Sequence, residues 1–424
     1  MDKRIGYFIP EFPGQTHIFF WREIQVLESM GIQVDIISTQ PPVASLMSHT
    51  WTTEAQRRTT YLTPLTVRSS WGIGVTLLHG GLKAWIACLQ TIQQAKELSI
   101  ASKIRLLAFM LVGAEVSDIA KQQHWQHLHV HSCANSANVA LFASLISGLP
   151  YSITLHGPLE DYGLNQAQKW SKAKFGIVIT QQLYKEVHRS LSVNLPQQVA
   201  IAPMGVNASI FHRTHPYRPW DEHTNCRIFS CGRLNVCKGH ADLIEAIALL
   251  RQQGIPATLK IAGEDEQGGT GYRKELESLI QRLNLTDSVR LLGATSEQTI
   301  KTSLENAHVF ALASLHEPLG VAIMEAMAME VPVIVTGSGG VKELIEQDVD
   351  GLLVEPQAPQ QLADTILKLL HDRQLAQKLG TAGRVKVIQH FHSKRSAETL
   401  ADLIWTPSDL GSQELKVPVS NHAR

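Results

Sequence analysis

The chain has 424 residues, 44% of them apolar, with 38 Lys and Arg against 38 Asp and Glu. That length exceeds what one hydrophobic core usually spans and points to two domains of roughly 200 residues. The composition excludes disordered, collagen-like and coiled-coil chains, and a net charge of zero carries no electrostatic footprint for nucleic acid. The zero hides an asymmetry: residues 1–205 hold 16 basic against 12 acidic side chains, residues 206–424 hold 22 against 26.

The opening reads as strand, turn and helix. Ile5–Ile9 is an apolar run stopped by Pro10, Thr16 is placed to cap a helix from His17 to Met30, and Gly31 ends it. Val34–Ile37 follows as a strand, completing a βαβ unit and the start of a doubly wound sheet. Residues 55–114 then carry seven basic side chains (Arg57, Arg58, Arg68, Lys83, Lys96, Lys103, Arg105) and one acid, Glu97, among many Leu, Ile, Trp and Ala. Two readings stand: contact with an anionic membrane surface, or a helical cap over the sheet with a basic outer face. The stretch Ser69–Leu82 lacks charge but is too short and mixed to span a bilayer. No signal-peptide core follows Met1, and five scattered cysteines without a CxxC pair fit a reduced cytoplasmic protein.

Strands are expected at Leu128–His131, Tyr151–Leu155, Phe175–Ile179 and Val199–Ile201, with helices at Asn138–Ile146 and Gln181–Ser190. Arg213–Thr224 has Pro216, Pro219 and no apolar period, so residues 206–224 read as a linker. A second α/β series begins at Arg227–Ser230, with strands at Thr258–Ala262, Val289–Leu292, Val309–Leu312, Pro332–Thr336 and Leu352–Val354. Helices fit at His240–Gln252, Tyr272–Leu283, Glu297–Glu305, Val321–Met329 and Pro359–His371, then one helical run from Arg373 to about Trp405 and a frayed end, Thr406–Arg424. The expected fold is α/β: two doubly wound Rossmann-like domains, 1–205 and 225–395, with residues 396–424 as a final helix and tail. The site belongs in the cleft facing the carboxyl ends of both sheets.

Two segments carry chemistry. In Leu315-His316-Glu317-Pro318-Leu319-Gly320-Val321-Ala322-Ile323-Met324-Glu325-Ala326-Met327-Ala328, Glu317 sits on a loop, Gly320-Val321 opens a helix and Glu325 lies one to two turns inside. A helix start presents free amides and a positive dipole end, which suits a diphosphate, and the two glutamates suit sugar hydroxyls on either side of it. In Cys231-Gly232-Arg233-Leu234-Asn235-Val236-Cys237-Lys238-Gly239-His240, Arg233 and Lys238 place two cations in a glycine-bracketed βα loop.

These two segments, with Pro203-Met204-Gly205-Val206-Asn207 at the linker, resemble the retaining glycosyltransferases of family 4, which have the GT-B fold. The opening Phe12-Pro13-Gly14-Gln15-Thr16-His17-Ile18-Phe19 is similar to the subgroup that builds exopolysaccharides such as colanic acid. The resemblance runs from residue 1 to about 405. It implies that Arg233 and Lys238 hold the donor diphosphate, that Glu317 accepts from donor-sugar hydroxyls and that Glu325 binds the nucleotide ribose. Gly232 brackets the basic loop, and Gly320 and Val321 would give backbone contacts to the phosphates. His156, in Thr154-Leu155-His156-Gly157-Pro158, matches the family's histidine near the reacting sugar. Gly14 and Thr16 match the loop over acceptor and phosphates, where the family commonly has a double glycine.

The implied reaction moves a hexose from a UDP-, GDP- or ADP-linked donor to a glycan or polyprenyl-linked acceptor, in the cytoplasm or on the inner face of the plasma membrane. No cofactor beyond the co-substrate is expected. No metal is expected either: no DxD-type pair stands at a strand end, and Asp265, between Glu264 and Glu266, reads as a solvated loop residue. His131 and Asn135 are further candidates for lining the cleft. A non-catalytic sugar-nucleotide-binding scaffold of an export complex, or a GT-B-fold epimerase, is the alternative.

Overall fold

The computed structural model describes residues 2–406 apart from 44, 45, 48, 64–75, 77–80 and 96. The expected tail past 406, together with Arg68 and Lys96, lies outside the described residues.

Among the described residues thirteen strands form two wholly parallel sheets. The first takes β1 (Lys3–Glu11), β2 (Ile32–Gln40), β3 (Thr59–Tyr61), β4 (His127–Val130), β5 (Tyr151–Leu155), β6 (Phe175–Val178) and β7 (Val199–Ile201) in the order β3-β2-β1-β4-β5-β6-β7. The second takes β8 (Cys226–Cys231), β9 (Ala257–Ala262), β10 (Val289–Gly293), β11 (Val309–Leu312), β12 (Val333–Thr336) and β13 (Leu352–Val354) in the order β10-β9-β8-β11-β12-β13. In both, the order reverses beside the first strand, which opens a crevice at the carboxyl edge. Register follows the apolar runs: Ile5 of β1 pairs with Val34 of β2 and His127 of β4, and the central strands are buried on both faces, as parallel strands between helix layers must be. This is the two-domain GT-B architecture.

The chain crosses between the domains twice, and the two crossings brace each other. Val206 N–H donates to Phe391 O (2.9 Å) and Ser393 N–H to Val206 O (3.1 Å). A Cβ on Gly205 would lie 2.4 Å from Phe391 O, so only glycine allows that approach. The helical run expected from Arg373 to Trp405 is in fact two helices, Arg373–His390 and Lys394–Trp405. The break at residues 391–393 is the second crossing, where the chain must leave one core for the other. The final helix packs Ala397, Leu400, Leu403 and Ile404 into the core of the first domain, against Ile5, Tyr7, Ile24 and Leu27.

The described part of the basic region is mostly helical, with the short strand β3 among the helices. Helices Thr52–Arg58, Gly81–Gln94 and Ile100–Gln122 lie between β2 and β4; their apolar period was legible only as an undivided Leu- and Ile-rich stretch.

Candidate active site

The two chemical segments converge at the carboxyl edge of the second sheet. The loop after β8 carries Arg233 and Lys238, and the loop after β11 carries Glu317. Lys238 Nζ donates to Glu317 Oε2 at 2.5 Å, and Ser314 Oγ donates to the same oxygen at 3.0 Å. Glu317 is 6% exposed. Leu315 N–H donates to Cys237 O (2.8 Å), and Gly239, at φ +60°, passes so close to Ala313 that a Cβ would sit 1.8 Å from its carbonyl oxygen. The two loops are therefore one rigid unit. Gly320 stands at the N-cap of the helix Val321–Ala328, which no side chain caps, so its starting amides and dipole face the loop pair. Gly232, where a Cβ would lie 3.5 Å from the Lys238 side chain, donates its N–H to Ala262 O (2.9 Å).

Arg233 behaves differently. Its Nη1 pairs with Glu266 Oε1 at 2.7 Å, but both side chains are well exposed, 41% and 69%, so the pair is weak and easily exchanged. Its charge is felt across the cleft, where burial and then Arg233 push the His17 imidazole down to about 4.

Glu325 is 5% exposed, and its Oε1 is already engaged: Arg22 Nη2, from the helix Ile18–Ser29 of the first domain, donates to it at 2.9 Å and to Glu297 Oε2 at 2.6 Å. Burial raises the Glu325 carboxyl above its usual range, while Arg22 opposes the rise. The glutamate predicted to bind ribose thus serves as an interdomain ion-pair partner.

From the first domain, His156 stands at the end of β5, and its Nε2 lies 3.1 Å from His131 Nδ1. Behind them, Glu23 Oε2 lies 2.9 Å from His131 Nε2 and accepts from Tyr7 O–H at 2.5 Å. Phe19 and Phe20 close over His156, with ring centroids at 5.4 Å. Burial, then His131, pushes His156 down to about 3, so the ring is neutral and its unpartnered Nδ1 is a free polar atom beside a cavity lined by Phe19, Glu23, His131, Thr154 and Met204.

Two expectations need correcting. Thr16 caps nothing: His17 is the N-cap residue and no side-chain cap bond forms, because the turn Gly14–His17 closes through its own backbone, His17 N–H to Gly14 O (3.0 Å). Gln15 crosses the cleft instead, donating to Glu264 O (2.8 Å) and accepting from Glu264 N–H (2.9 Å). Asp265 is 3% exposed rather than solvated. Its carboxylate accepts from the amides of Gln267, Gly269, Gly271 and Arg273 at 2.8–3.0 Å; those bonds hold its pKa below the ordinary range against the cost of burial.

Arg22, Glu23 and Gln15 were not singled out from sequence. The signal was present for the first two: Phe20, Trp21, Arg22, Glu23 and Ile24 are consecutive buried residues, and a charged pair inside an apolar stripe must find partners. The partners lie up to 303 residues away in sequence.

The buried imidazoles set a pH dependence. Burial pushes His127 down to about 3 and His240 to about 4, and lowers His129 as well. A ring depressed in the folded state contributes stability that is complete above its unfolded pKa near 6.5 and is lost as pH falls below it. The melting temperature should therefore drop between pH 7.5 and 5.5, with each such ring costing about 1 kcal/mol at the lower pH. A flat thermal-shift profile over that range would contradict the buried neutral rings.

Residues 220–386 match the family model described as glycosyl transferases group 1. WcaL of Salmonella typhimurium, named for colanic acid biosynthesis, is 31% identical over 221 residues, covering 50% of this chain and 52% of that protein. The amylovoran biosynthesis glycosyltransferase AmsK of Erwinia amylovora is 30% identical over 227 residues, covering 51% and 53%. The chain thus spans about half the length of the curated relatives it matches. The crystal structure of Anabaena HepE in complex with UDP-glucose superposes with a TM-score of 0.70 over 94% of this chain and 99% of that one, at 19% identity, a likeness of fold. Residues 220–386 are thus similar to the group 1 glycosyl transferases, within a chain that has the GT-B fold.

Proposed function

We propose that the chain transfers a hexose, with retention of configuration, from a nucleotide sugar to a glycan or polyprenyl-linked acceptor in exopolysaccharide synthesis. The observation that carries the reading is the Lys238–Glu317 pair, held by two locked loops at the uncapped start of the helix Val321–Ala328. Relatives named for colanic acid and amylovoran biosynthesis support the exopolysaccharide assignment, and the fold neighbour HepE is known with UDP-glucose bound.

The chemistry follows from charge. The bond between the donor's anomeric carbon and the β-phosphate oxygen breaks, and both electrons leave with the diphosphate. Lys238, Arg233 and the amides at Val321 meet that growing charge, and each fixed donor contributes a few kcal/mol to the transition state. Glu317, aimed by Lys238 and Ser314, accepts from sugar hydroxyls. His156 offers neutral Nδ1 to a further hydroxyl. The acceptor oxygen joins the anomeric carbon on the face the diphosphate leaves, and its proton passes to the leaving phosphate oxygen. Glu325 takes the ribose once Arg22 yields one of its two carboxylate contacts. No side-chain nucleophile takes part. The leaving charge is met by these cations, and no metal is assigned to the step.

The assay is release of nucleoside diphosphate from UDP-, GDP- and ADP-sugars, with and without EDTA. Release from one donor class, unchanged by EDTA, is the expected result. Silence with every donor and with membrane extract as acceptor source would favour the non-catalytic scaffold.

A further inference from the structure

Two helices on the flank of the first domain have more apolar surface than the fold uses. The inner faces of Gly81–Gln94 and Ile100–Gln122 are accounted for: Cys88, Ile92, Leu106 and Met110 form one cluster with Phe142. The outer faces are exposed. On the first helix Leu82, Ile86 and Leu89 are 76, 44 and 51% exposed; on the second Ile100, Ile104, Leu107 and Leu111 are 80, 62, 38 and 38% exposed. The spacing is i, i+4, i+7 on one and i, i+4, i+7, i+11 on the other, so each set runs along a single stripe. Single exposed leucines are ordinary on a protein surface; two ordered aliphatic stripes on consecutive helices are not.

Charge decides what covers them. Lys83 and Arg105 are exposed on the same two helices, flanking the stripes rather than lying on them, and Lys103 is half-buried beside the second; Glu97 is the one acid in residues 55–114, and half-buried Asp118 lies further along the second helix. A second copy of the chain would set this positive rim against itself. An anionic bilayer satisfies both components, taking the aliphatic side chains below the headgroups and the cations at lipid phosphate. No helix among the described residues is long and apolar enough to cross a membrane, so the contact is one of lying on the surface.

We propose that the outer faces of Gly81–Gln94 and Ile100–Gln122 dock the chain onto an anionic lipid surface, with Leu82, Ile86, Ile104 and Leu107 inserted and Lys83 and Arg105 on the headgroups. This goes beyond the transferase reading and does not depend on it.

The test is co-sedimentation of the full chain with phosphatidylglycerol–phosphatidylcholine vesicles and with phosphatidylcholine vesicles, without donor. Partitioning is expected to be at least about tenfold stronger on the anionic vesicles and to weaken in high salt. Ile104→Glu with Leu107→Glu should lower it by about tenfold or more. Lys83→Glu with Arg105→Glu should lower it by about tenfold on anionic vesicles and leave the phosphatidylcholine value in place. All four positions face solvent, so an unchanged melting temperature reports intact folding, and unchanged diphosphate release separates this surface from the cleft. Failure of the wild-type chain to bind anionic vesicles, or equal binding by either double variant, would overturn the proposal. A wild-type dimer that Ile104→Glu with Leu107→Glu turns into a monomer would overturn it too, assigning the face to self-association.

Discussion

Lys238→Ala should cut the rate of nucleoside diphosphate release by about 100-fold or more, the usual effect of removing one fixed donor from a developing oxyanion. Lys238 is placed for two tasks at once. Its ammonium fixes the Glu317 carboxylate at 2.5 Å and stands at the mouth of the uncapped helix where the diphosphate would lie. Alanine removes the cation and leaves Glu317 with Ser314 alone, so sugar positioning and leaving-group stabilisation fail together. The loss should appear in kcat more than in KM, because the charge that Lys238 meets is greatest in the transition state. Glu266→Ala is the matching control. It frees Arg233 from an exposed pair worth little, and turnover should change less than about twofold. A Lys238→Ala enzyme with near-normal kcat would remove the basis of the proposed mechanism.

Arg22→Met should destabilise the chain by about 3 kcal/mol or more, because it strands a buried carboxylate. Arg22 and Glu325 are each about 5% exposed, and the pair ties the helix Ile18–Ser29 of one domain to the helix Val321–Ala328 of the other. The pH dependence has a definite sign. Burial already holds the Glu325 carboxyl above its usual range with Arg22 pulling against it; without Arg22 it rises further. The variant's defect is therefore full at neutral pH and shrinks as pH falls through that raised pKa, where protonation discharges the stranded group. Arg22→Lys should recover much of the loss, since a single nitrogen, Nη2, makes both carboxylate contacts while Nε and Nη1 have no partner. Thermal unfolding from pH 5 to 8 reads all three chains. A Met variant as stable as the parent at pH 8 would show that the pair does not hold the domains.

Most of the fold was legible because parallel strands in these domains are short, apolar and closed by turns. Val309–Leu312, Leu352–Val354, His240–Gln252 and Pro359–His371 fall at the residues their patterns dictate. The helices of residues 81–122 were not separable, since apolar residues on two faces blur a helical period into a general Leu- and Ile-rich character, and their outward stripes emerge only once the inner face is known. In the site, Lys238, Glu317 and the helix start at Val321 lie on neighbouring loops of one domain, so local spacing was enough to group them. What joins the domains was hidden. Gln15 with Glu264 and Arg22 with Glu325 are contacts over 249 and 303 residues, and no local pattern encodes a partner at that range. Asp265 misled for the opposite reason: its acidic neighbours suggested solvent, whereas the glycines after it curl four amides onto its carboxylate.

The return of Lys394–Trp405 to the opening βαβ unit makes the amino-terminal lobe discontinuous in the gene. A polypeptide ending near residue 205 would lack the wall that Leu400, Leu403 and Ile404 supply to Ile5, Ile24 and Leu27, and would expose an oily seam along its first helix. During synthesis that lobe stays unfinished until Lys394–Trp405 has emerged, so the second domain is complete before the first is sealed.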